Sequence, residues 1–325
     1  MRVCVKVIRL KYPHDLQKEQ FSPMVMALGY FDGVHLGHQK VIKKAKEIAK
    51  ENGLKSAVMT FDPHPSVVLR KSMQHVEYIT PLHEKERLIA DLDIDYLFIV
   101  QFTSEFANLL PQEFVDHYII GLNVVHVVAG FDYTYGRMGK GTMETLPFHS
   151  RESFDFTIVP KLECEREKIS STLIRSKIRE GKTNELPHLL GRFYTTSGIV
   201  IHGDKRGRQL GFPTANVDVF DNFLLPPPGV YSVRILVEGF WHEAVCNVGY
   251  KPTFNGENSQ KLSIEVHIFD YEKDIYGQKV IVEWHEHLRK ERKFSGVNEL
   301  IEQIEKDKQS AIFYFKKGSV NKHCS

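Results

Sequence analysis

The chain has 325 residues, of which 42% are hydrophobic and 26% are charged, which is the composition of an ordinary globular protein with enough length for two hydrophobic cores. Its formal net charge of +2 is too small for a typical nucleic-acid-binding protein, which usually carries clustered Lys and Arg residues. No apolar run approaches the length that a membrane span needs, so we expect neither a nucleic-acid nor a membrane partner.

The first half of the chain alternates short apolar runs with helical patterns. The N-terminal "MRVCVKVIRLKY" alternates apolar and charged residues, as a strand does. The run "VMAL" is followed by a helical stripe, which ends at Gly53 and consists of Val41, Ile42, Ala45, Ile48 and Ala49. After it come "SAVMTF", "HEKERLIADLDI", "DYLFIVQF", "PQEFVDHYIIGL" and "VVHVVAGF". This order predicts right-handed crossovers and a mostly parallel sheet covered on both faces, a doubly wound α/β domain.

Three polar loops follow strands of this predicted sheet. They are "GYFDGVHLGH" (29–38), "DPHP" (62–65) and "DYTYGRMGKG" (132–141). Ligands of doubly wound sheets bind beyond the carboxyl ends of the strands. We therefore expect the three loops to meet at one edge of the sheet and to form a site there.

The second half of the chain has a different pattern. From about Thr195 the strand-like runs "SGIVIHG", "GVYSVRILVEG", "FWHEAVCNVG", "KLSIEVHIFD" and "QKVIVEWHEH" follow one another with short turns. They predict an antiparallel barrel or sandwich, and "VNELIEQIEKDKQSAIFYF" predicts a closing helix that packs Leu300, Ile301 and Ile304. We expect domains at 1–186 and 187–316, joined near "GKTNELPHLLGR", and a tail at 317–325.

The cysteines indicate the compartment. Cys4, Cys164, Cys246 and Cys324 are scattered and form no Cys-x-x-Cys pair, which argues against a disulfide framework and favours a reducing environment. We expect a cytoplasmic protein that is a monomer or a weak homo-oligomer.

The first loop, with His35 and His38, allows four interpretations: a metal site, a nucleophile and base, a phosphate-binding turn, or a loop that only holds polar residues. As a zinc site they lack the i, i+4 spacing of metal-binding helices, and Asp32 or His64 would have to supply a third ligand. As structural residues they would cap a helix or satisfy a loop. As a phosphate site they explain more of the sequence, because a helix that begins near His35 offers N–H groups and its positive dipole end to an anion. Two imidazoles there can also stabilise the charge that develops when an α-phosphorus is attacked.

A second phosphate-binding segment is "ISSTLIRSKIREG" (169–181). Its hydroxyls suit a helix N-cap, and Gly181 suits the helix end. A capped helix would explain the hydroxyls alone, but Arg175 places a cation in the first turns, where it opposes the helix dipole unless an anion is bound.

The second half contains "GIVIHGDKRGRQLGFPTANV" (198–217), a cationic loop that is either a solvated hairpin or a nucleotide site. Thr214 and Asn216 lie two apart, so on an extended strand both face the same way, and their oxygens suit Mg²⁺. In "LSIEVHIFD" (262–270), Glu265 and His267 share one face of a strand. Glu265 is either a surface carboxylate or a general base for a hydroxyl that attacks a γ-phosphate, and His267 could serve instead.

"GYFDGVHLGH" and "ISSTLIR" resemble the two signatures of the nucleotidyltransferase superfamily, and with "FDPHP" and "GFDYTYGRMGKG" they resemble the adenylyltransferase module of bacterial bifunctional riboflavin kinase/FAD synthetases. The resemblance implies a Rossmann-like fold in which His35, His38 and Arg175 are catalytic. It implies two further sets of residues. ATP would bind Gly29, Phe31, Asp32, Gly37, Ser171 and Thr172, and the flavin would bind Phe61, Pro63, Asp132 and Tyr135.

The stretches "HGDKRGRQLGFPTAN", "PPPGVY", "NVGYKPTF", "EVHIFDYEKDIYG" and "HLRKERKF" are similar to the riboflavin kinase module of the same family. The likeness implies that Glu265 deprotonates the terminal ribityl hydroxyl, that Arg289 contacts the flavin or the nucleotide, and that His287 stands where Phe is frequent. ATP and Mg²⁺ are the implied co-substrate and metal. The ATP set is Gly203, Lys205, Gly211, Pro213, Thr214 and Asn216, of which Thr214 and Asn216 would hold Mg²⁺.

The resemblance implies two sequential reactions on one chain. The C-terminal barrel phosphorylates riboflavin to FMN, and the N-terminal domain transfers AMP from ATP to FMN, which gives FAD and pyrophosphate. Two other classes remain open from the residues themselves. An aminoacyl-tRNA synthetase-like activator also uses an H-x-G-H turn but would need a basic anticodon-binding region, and a flavin-binding carrier would need no turnover.

Overall fold

A computed structural model of the chain describes residues 5–69, 76–164, 167–203, 207, 210–220, 222–251 and 261–318. It divides into two compact units, Met1–Ser171 and Thr172–Ser325. The predicted ATP ligand Lys205 and the tail beyond residue 318 lie outside the described residues. In the described part of the chain, no helix is long and apolar enough to cross a membrane.

The N-terminal unit is built on a sheet of six parallel strands in the order β1-β4-β3-β2-β5-β8. The strands are β1 Lys6–Leu10, β2 Met24–Leu28, β3 Lys55–Asp62, β4 Tyr96–Gln101, β5 Val124–Gly130 and β8 Asp155–Val159. Short antiparallel pairs are formed by β6 Thr134–Tyr135 with β7 Gly141–Thr142, and by β9 Glu163–Cys164 with β10 Glu167–Lys168. The helices are α1 Leu36–Glu51, α2 Pro65–Leu69, α3 Leu82–Ala90, α4 Ser104–Ala107, α5 Pro111–Tyr118 and α6 Leu146–Ser150.

Strand β2 lies in the middle of this sheet and is buried along its whole length. Its side chains point alternately to the two faces, so Met24, Met26 and Leu28 join one hydrophobic cluster and Val25 and Ala27 join the other. A strand buried on both faces requires helices on both sides of the sheet. The doubly wound prediction is confirmed.

Helix α1 follows β2 and packs on one of these faces. All five residues of the predicted stripe are buried in one cluster, namely Val41, Ile42, Ala45, Ile48 and Ala49. The helix is capped at Asn52, and Gly53 takes a positive φ of 65°, a conformation that favours glycine. The helix therefore begins directly after the first polar loop, as predicted.

The C-terminal unit contains a closed barrel of six antiparallel strands, in the order β11-β12-β15-β14-β13-β16. The strands are β11 Tyr194–Ile201, β12 Ala215–Val219, β13 Gly229–Val237, β14 Phe240–Lys251, β15 Lys261–Ile268 and β16 Lys279–Arg289. The helices are α7 Ser171–Arg179, α8 Leu186–Leu190 and α9 Val297–Gly318. Of the two predicted architectures the structure shows the barrel.

Two features differ from the pattern read along the sequence. The expected junction at 181–192 includes α8, whose Leu186 and Leu190 are fully buried, so this segment packs rather than linking loosely. On α9 the most buried residues are Asp307, Ala311 and Phe315, while Leu300, Ile301 and Ile304 are half-buried. The domain boundary after residue 186 stays a prediction.

Candidate active sites

The first polar loop is a tight turn between β2 and α1. Phe31, Gly33 and Val34 have positive φ angles of 56°, 88° and 38°, which reverse the chain sharply within a few residues. A side chain at Gly29 would meet the Phe31 ring at 2.6 Å. Glycine at position 29 therefore allows the ring of Phe31 to fold back over the end of β2.

Asp32 holds this turn to a neighbouring segment. Its buried carboxylate accepts hydrogen bonds from the backbone N–H of Thr80 at 3.0 Å and of Ile79 at 3.4 Å. The Ser171 hydroxyl donates to the carbonyl oxygen of Asp32 at 2.8 Å, which ties the second signature to the first. The observed contacts of Asp32 and Ser171 are within the protein, and ATP binding by either residue stays a prediction.

His35 is the N-cap of α1. Its Nδ1 accepts a hydrogen bond from the backbone N–H of His38 at 3.2 Å, so the proton of the neutral ring is on Nε2. A Cβ at Gly37 would lie 3.1 Å from the same ring. Glycine at 37 therefore allows the imidazole to cover the first turn, where the N–H groups and the dipole of the helix favour an anion.

His38 stacks on His35, with ring centroids 3.5 Å apart and planes 19° apart, and meets the edge of Phe31 at 5.2 Å. Its Nδ1 is buried and has no hydrogen-bond partner among the described residues. Burial, together with the nearby His35, Lys85 and Lys168, holds the pKa of His38 well below its usual value. The ring is therefore neutral at pH 7 and retains one N–H for a ligand.

Zinc binding at this pair would require a third ligand. Among the described residues no three His, Cys, Asp or Glu side chains come together in a way that could hold a metal ion. The two residues predicted as a possible third ligand have other contacts. Asp32 accepts hydrogen bonds from the backbone of residues 79 and 80, and His64 Nδ1 lies 2.6 Å from the Ser66 hydroxyl.

A cavity of about 780 Å³ opens beside the histidine pair. It is lined by residues from all three predicted loops, with Pro65 from the second, and its lining includes the predicted site residues Gly29, Phe31, His38, Phe61, Asp132 and Tyr135. Phe102, Phe106 and Phe114 add aromatic walls. Pro63 is not among the described lining residues. A largely apolar cavity with a few polar groups at one end is typical of a site for a flat aromatic ligand.

Polar contacts fix the third loop around this cavity. The Tyr135 hydroxyl lies 2.8 Å from His149 Nδ1, and its ring stacks on Tyr133 at 6.2 Å. Asp132 forms an ion pair with Lys168, whose ammonium lies 4.7 Å from the centre of the Phe131 ring. The tyrosines therefore present aromatic faces while the charges lie at the rim.

The sequence analysis missed Lys85, which is 2% exposed although it lies in a charged helical pattern. Its Nζ donates to the carbonyl oxygen of Tyr30 at 3.0 Å and to the Thr60 hydroxyl at 3.4 Å, and it lies 4.0 Å from the centre of the Tyr30 ring. Burial lowers the pKa of Lys85 to about 8, although Asp32 and Asp62 raise it. The only sequence signal is its place between hydrophobic positions of α3.

Helix α7 carries the remaining predicted residues of the adenylyltransferase site. Ile174 and Ile178 are buried, Arg175 is half-buried and Thr172 is exposed. The division between the two units falls immediately before Thr172. The contribution of Thr172 and Arg175 to ATP binding stays a prediction.

In the C-terminal unit, two cavities lie on opposite faces of β15. One of about 410 Å³ is lined by Thr214, Val266 and Ile268, and one of about 290 Å³ is lined by Thr214, Glu265 and His267. Alternate residues of a strand point to opposite faces, which explains why β15 serves both cavities. Thr214 lines both of them, so this residue borders both cavities.

The predicted magnesium ligands and the predicted base are neighbours across strands. In the barrel Asn216 of β12 pairs with Glu265 of β15. Asn216 is 8% exposed, and its amide fills the space where a side chain of Gly203 would lie. Glycine at 203 is thus required by the position of the Asn216 amide. Gly211, another predicted ATP-binding residue, has a positive φ of 85°, a conformation that favours glycine.

Arg289 lines the cavity of about 290 Å³ together with Glu265. Its guanidinium donates to both carboxylate oxygens of the buried Asp307 of α9, from Nε at 2.9 and 3.1 Å and from Nη2 at 2.7 Å. This pair explains why an aspartate lies on the buried face of α9, because the guanidinium compensates its charge.

Comparisons with known proteins give the family. A family model described as FAD synthetase matches residues 17–173, and one described as riboflavin kinase matches residues 190–315. The chain is 52% identical to the bifunctional riboflavin kinase/FMN adenylyltransferase of Bacillus subtilis (96% of this chain, 98% of that one) and 49% identical to that of Listeria monocytogenes (96% and 99%). A crystal structure titled a macrolide-efflux protein, from Streptococcus pneumoniae, superposes with a TM-score of 0.85 at 36% identity and covers 94% of this chain and 98% of its own. The chain therefore belongs to the bifunctional riboflavin kinase/FMN adenylyltransferase family, with the adenylyltransferase in the first half and the kinase in the second.

Proposed function

We propose that the histidine pair at the start of α1 and the cavity of about 780 Å³ form the FMN adenylyltransferase site. The observation that carries this proposal is the Nδ1 of a neutral His38, which has no partner among the described residues and belongs to a side chain that lines an aromatic cavity beside a helix N-terminus. The flavin would fill the aromatic cavity near Phe61 and Tyr135, and the phosphates of ATP would lie at the N-terminus of α1.

In the adenylyl transfer, an oxygen of the FMN phosphate attacks the α-phosphorus of ATP. The bond from that phosphorus to the bridging oxygen breaks, and the oxygen leaves with pyrophosphate. His35, through Nε2–H, and His38, through the N–H of its neutral ring, donate hydrogen bonds to the phosphate oxygens as charge accumulates on them. Ser171, Thr172 and Arg175 would hold the triphosphate, and no covalent intermediate with the protein is needed.

We propose that the two cavities that share Thr214 form the riboflavin kinase site. The observation that supports this proposal is the division of β15 between the cavities. Glu265 lines one cavity, Val266 and Ile268 line the other, and Thr214 lines both. The nucleotide would occupy the cavity of about 410 Å³, and the ribityl chain would enter the cavity of about 290 Å³. Glu265 accepts the proton of the terminal hydroxyl, whose oxygen attacks the γ-phosphorus as the bond to ADP breaks.

Mg²⁺ fits the donors at this site. Thr214 would supply a hydroxyl and Asn216 an amide oxygen, both of the kind that Mg²⁺ prefers, and Glu265 pairs with Asn216 from the neighbouring strand. When bound, Mg²⁺ neutralises charge on the phosphates of ATP. We further infer a cytoplasmic enzyme, a monomer or weak homo-oligomer, whose partners are riboflavin, FMN, FAD and ATP.

The test is to incubate the full chain with riboflavin, ATP and Mg²⁺ and to separate riboflavin, FMN and FAD by chromatography. His38→Ala should lower FAD formation from FMN by about 10²–10³-fold and leave FMN formation intact. Glu265→Ala should stop FMN formation and leave the conversion of supplied FMN to FAD intact.

Two substitutions at exposed positions serve as controls, His83→Ala on α3 and Glu243→Ala on β14. Both should leave both reactions unchanged. Equal loss of the two reactions in either site variant would contradict two separate sites.

A further inference from the structure

His267 is a buried histidine to which the kinase mechanism above assigns no role. It lies on β15, is 8% exposed, and forms part of the wall of the cavity that contains Glu265. Glu265 and His267 point the same way from the strand, and same-face neighbours on a strand are about 6.6 Å apart along it. The imidazole therefore lines the same cavity as the proposed base.

A hydrogen bond to the backbone fixes the tautomer of His267. Nδ1 lies 2.9 Å from the carbonyl oxygen of Pro213. A carbonyl oxygen only accepts, so Nδ1 must carry the proton. Burial lowers the pKa of the imidazole, although the Pro213 carbonyl raises it. The ring is thus neutral at pH 7, and Nε2 carries a lone pair.

That lone pair faces no donor among the described residues. Nε2 of His267 is buried and has no hydrogen-bond partner among the residues that the structure describes. A buried acceptor without a partner costs about 1–3 kcal/mol, and such groups in folded proteins are usually satisfied by a ligand or by water. A ligand that enters this cavity can supply the missing donor if it carries a hydroxyl or an N–H.

We propose that Nε2 of His267 accepts a hydrogen bond from a secondary hydroxyl of the ribityl chain and thereby positions riboflavin for phosphorylation. The inference rests on the kinase site proposed above. If Glu265 receives the proton of the terminal hydroxyl, the donor next along the flavin is a ribityl hydroxyl, whereas the N–H of the isoalloxazine ring lies at the far end of the molecule. His267 is therefore a positioning residue, and the Pro213 carbonyl keeps it in the accepting tautomer.

The test compares His267→Phe, which keeps a flat ring and removes the acceptor, with His267→Gln, which restores an acceptor. We expect the KM for riboflavin to rise about tenfold in His267→Phe, as loss of one hydrogen bond predicts, and to recover in large part in His267→Gln. The kcat should change less than KM, and its pH profile should not shift, because Glu265 remains the base. An unchanged KM, or a loss confined to kcat with a shifted pH profile, would overturn the proposal.

Lumiflavin, which carries a methyl group in place of the ribityl chain, separates the two donors of the flavin. Its inhibition constant against the kinase should be the same in wild type and His267→Phe. Equal weakening of lumiflavin and riboflavin would assign the donor to the ring and overturn the hydroxyl assignment.

His287→Phe is the matched control. His287 is also a half-buried histidine of the barrel with an unpartnered Nε2, but it is not among the described residues that line the cavity. Its replacement should leave the KM for riboflavin unchanged, and an equal rise in both variants would indicate a structural effect instead. A wild-type chain that forms no FMN would contradict the proposed kinase site itself. A wild-type chain that forms FMN, with an unchanged KM in His267→Phe, would contradict only the role of His267.

Discussion

The buried position of Lys85 predicts how the stability of the N-terminal unit depends on pH. The ammonium is held by the Tyr30 carbonyl and the Thr60 hydroxyl in a buried position. Its pKa falls from an ordinary value of 10.5 to about 8, which corresponds to roughly 3 kcal/mol of free energy. The perturbation that tests this is Lys85→Met, which keeps the aliphatic stem and removes the titrating group.

The sign of the effect follows from proton binding. Between pH 8 and pH 10.5 the unfolded chain still holds the proton that the folded protein has lost, so in this window Lys85 makes the free energy of unfolding rise with pH. Below pH 8 both states are protonated and the contribution is constant. The difference in unfolding free energy, wild type minus Lys85→Met, should therefore grow by about 3 kcal/mol from pH 7.5 to pH 10.5.

Urea unfolding at several pH values measures this difference. Both tryptophans of the chain, Trp241 and Trp284, lie in the C-terminal unit, so tryptophan fluorescence reports that unit and far-UV circular dichroism reports both. The pH-dependent change should appear in the dichroism transition and not in the fluorescence transition. A difference that stays constant within about 1 kcal/mol across the window would refute the buried, pKa-lowered lysine.

Two further predictions concern the charges at the two sites. ATP binding near His38 should raise its lowered pKa and so favour proton uptake, because an anion favours the charged imidazole. The calorimetric binding enthalpy should then vary with the ionisation enthalpy of the buffer in wild type and lose part of that dependence in His38→Gln, and equal dependence in both would contradict the prediction. Asp307→Asn should lower the unfolding free energy of the C-terminal unit by about 3 kcal/mol, because it leaves the Arg289 guanidinium without its counter-charge. Tryptophan fluorescence in urea measures this, and a change below about 0.5 kcal/mol would mean that the pair is solvated.

The sequence predicted the buried faces of helices and strands best where burial alone imposes a periodic pattern. The stripe of α1 is buried residue for residue, because a helix on a buried sheet face must be apolar at these positions. The alternation in β15 likewise placed Glu265 and His267 on one face and Val266 on the other. The convergence of three loops followed from strand polarity, since parallel strands bring their carboxyl ends to one edge.

Other parts of the sites could not be read from local pattern. Lys85 and Asp307 are charged residues on helices, which periodicity assigns to solvent, yet each is buried beside partners that are distant in sequence. The direction of the Asp32 carboxylate toward residues 79 and 80 also depends on tertiary contacts. Such contacts carry no short-range signal, so only the folded chain reveals them.

Strand β15 separates the compartments proposed for the two kinase substrates, and this has a consequence for how the barrel tolerates change. It is paired on one edge with β12 and on the other with β14, and a shift of one residue in a strand exchanges its two faces. Such a shift would turn Val266 toward the cavity proposed for riboflavin and Glu265 toward the cavity proposed for the nucleotide. Deleting or inserting a single residue in this strand should therefore abolish phosphorylation even in a barrel that still closes.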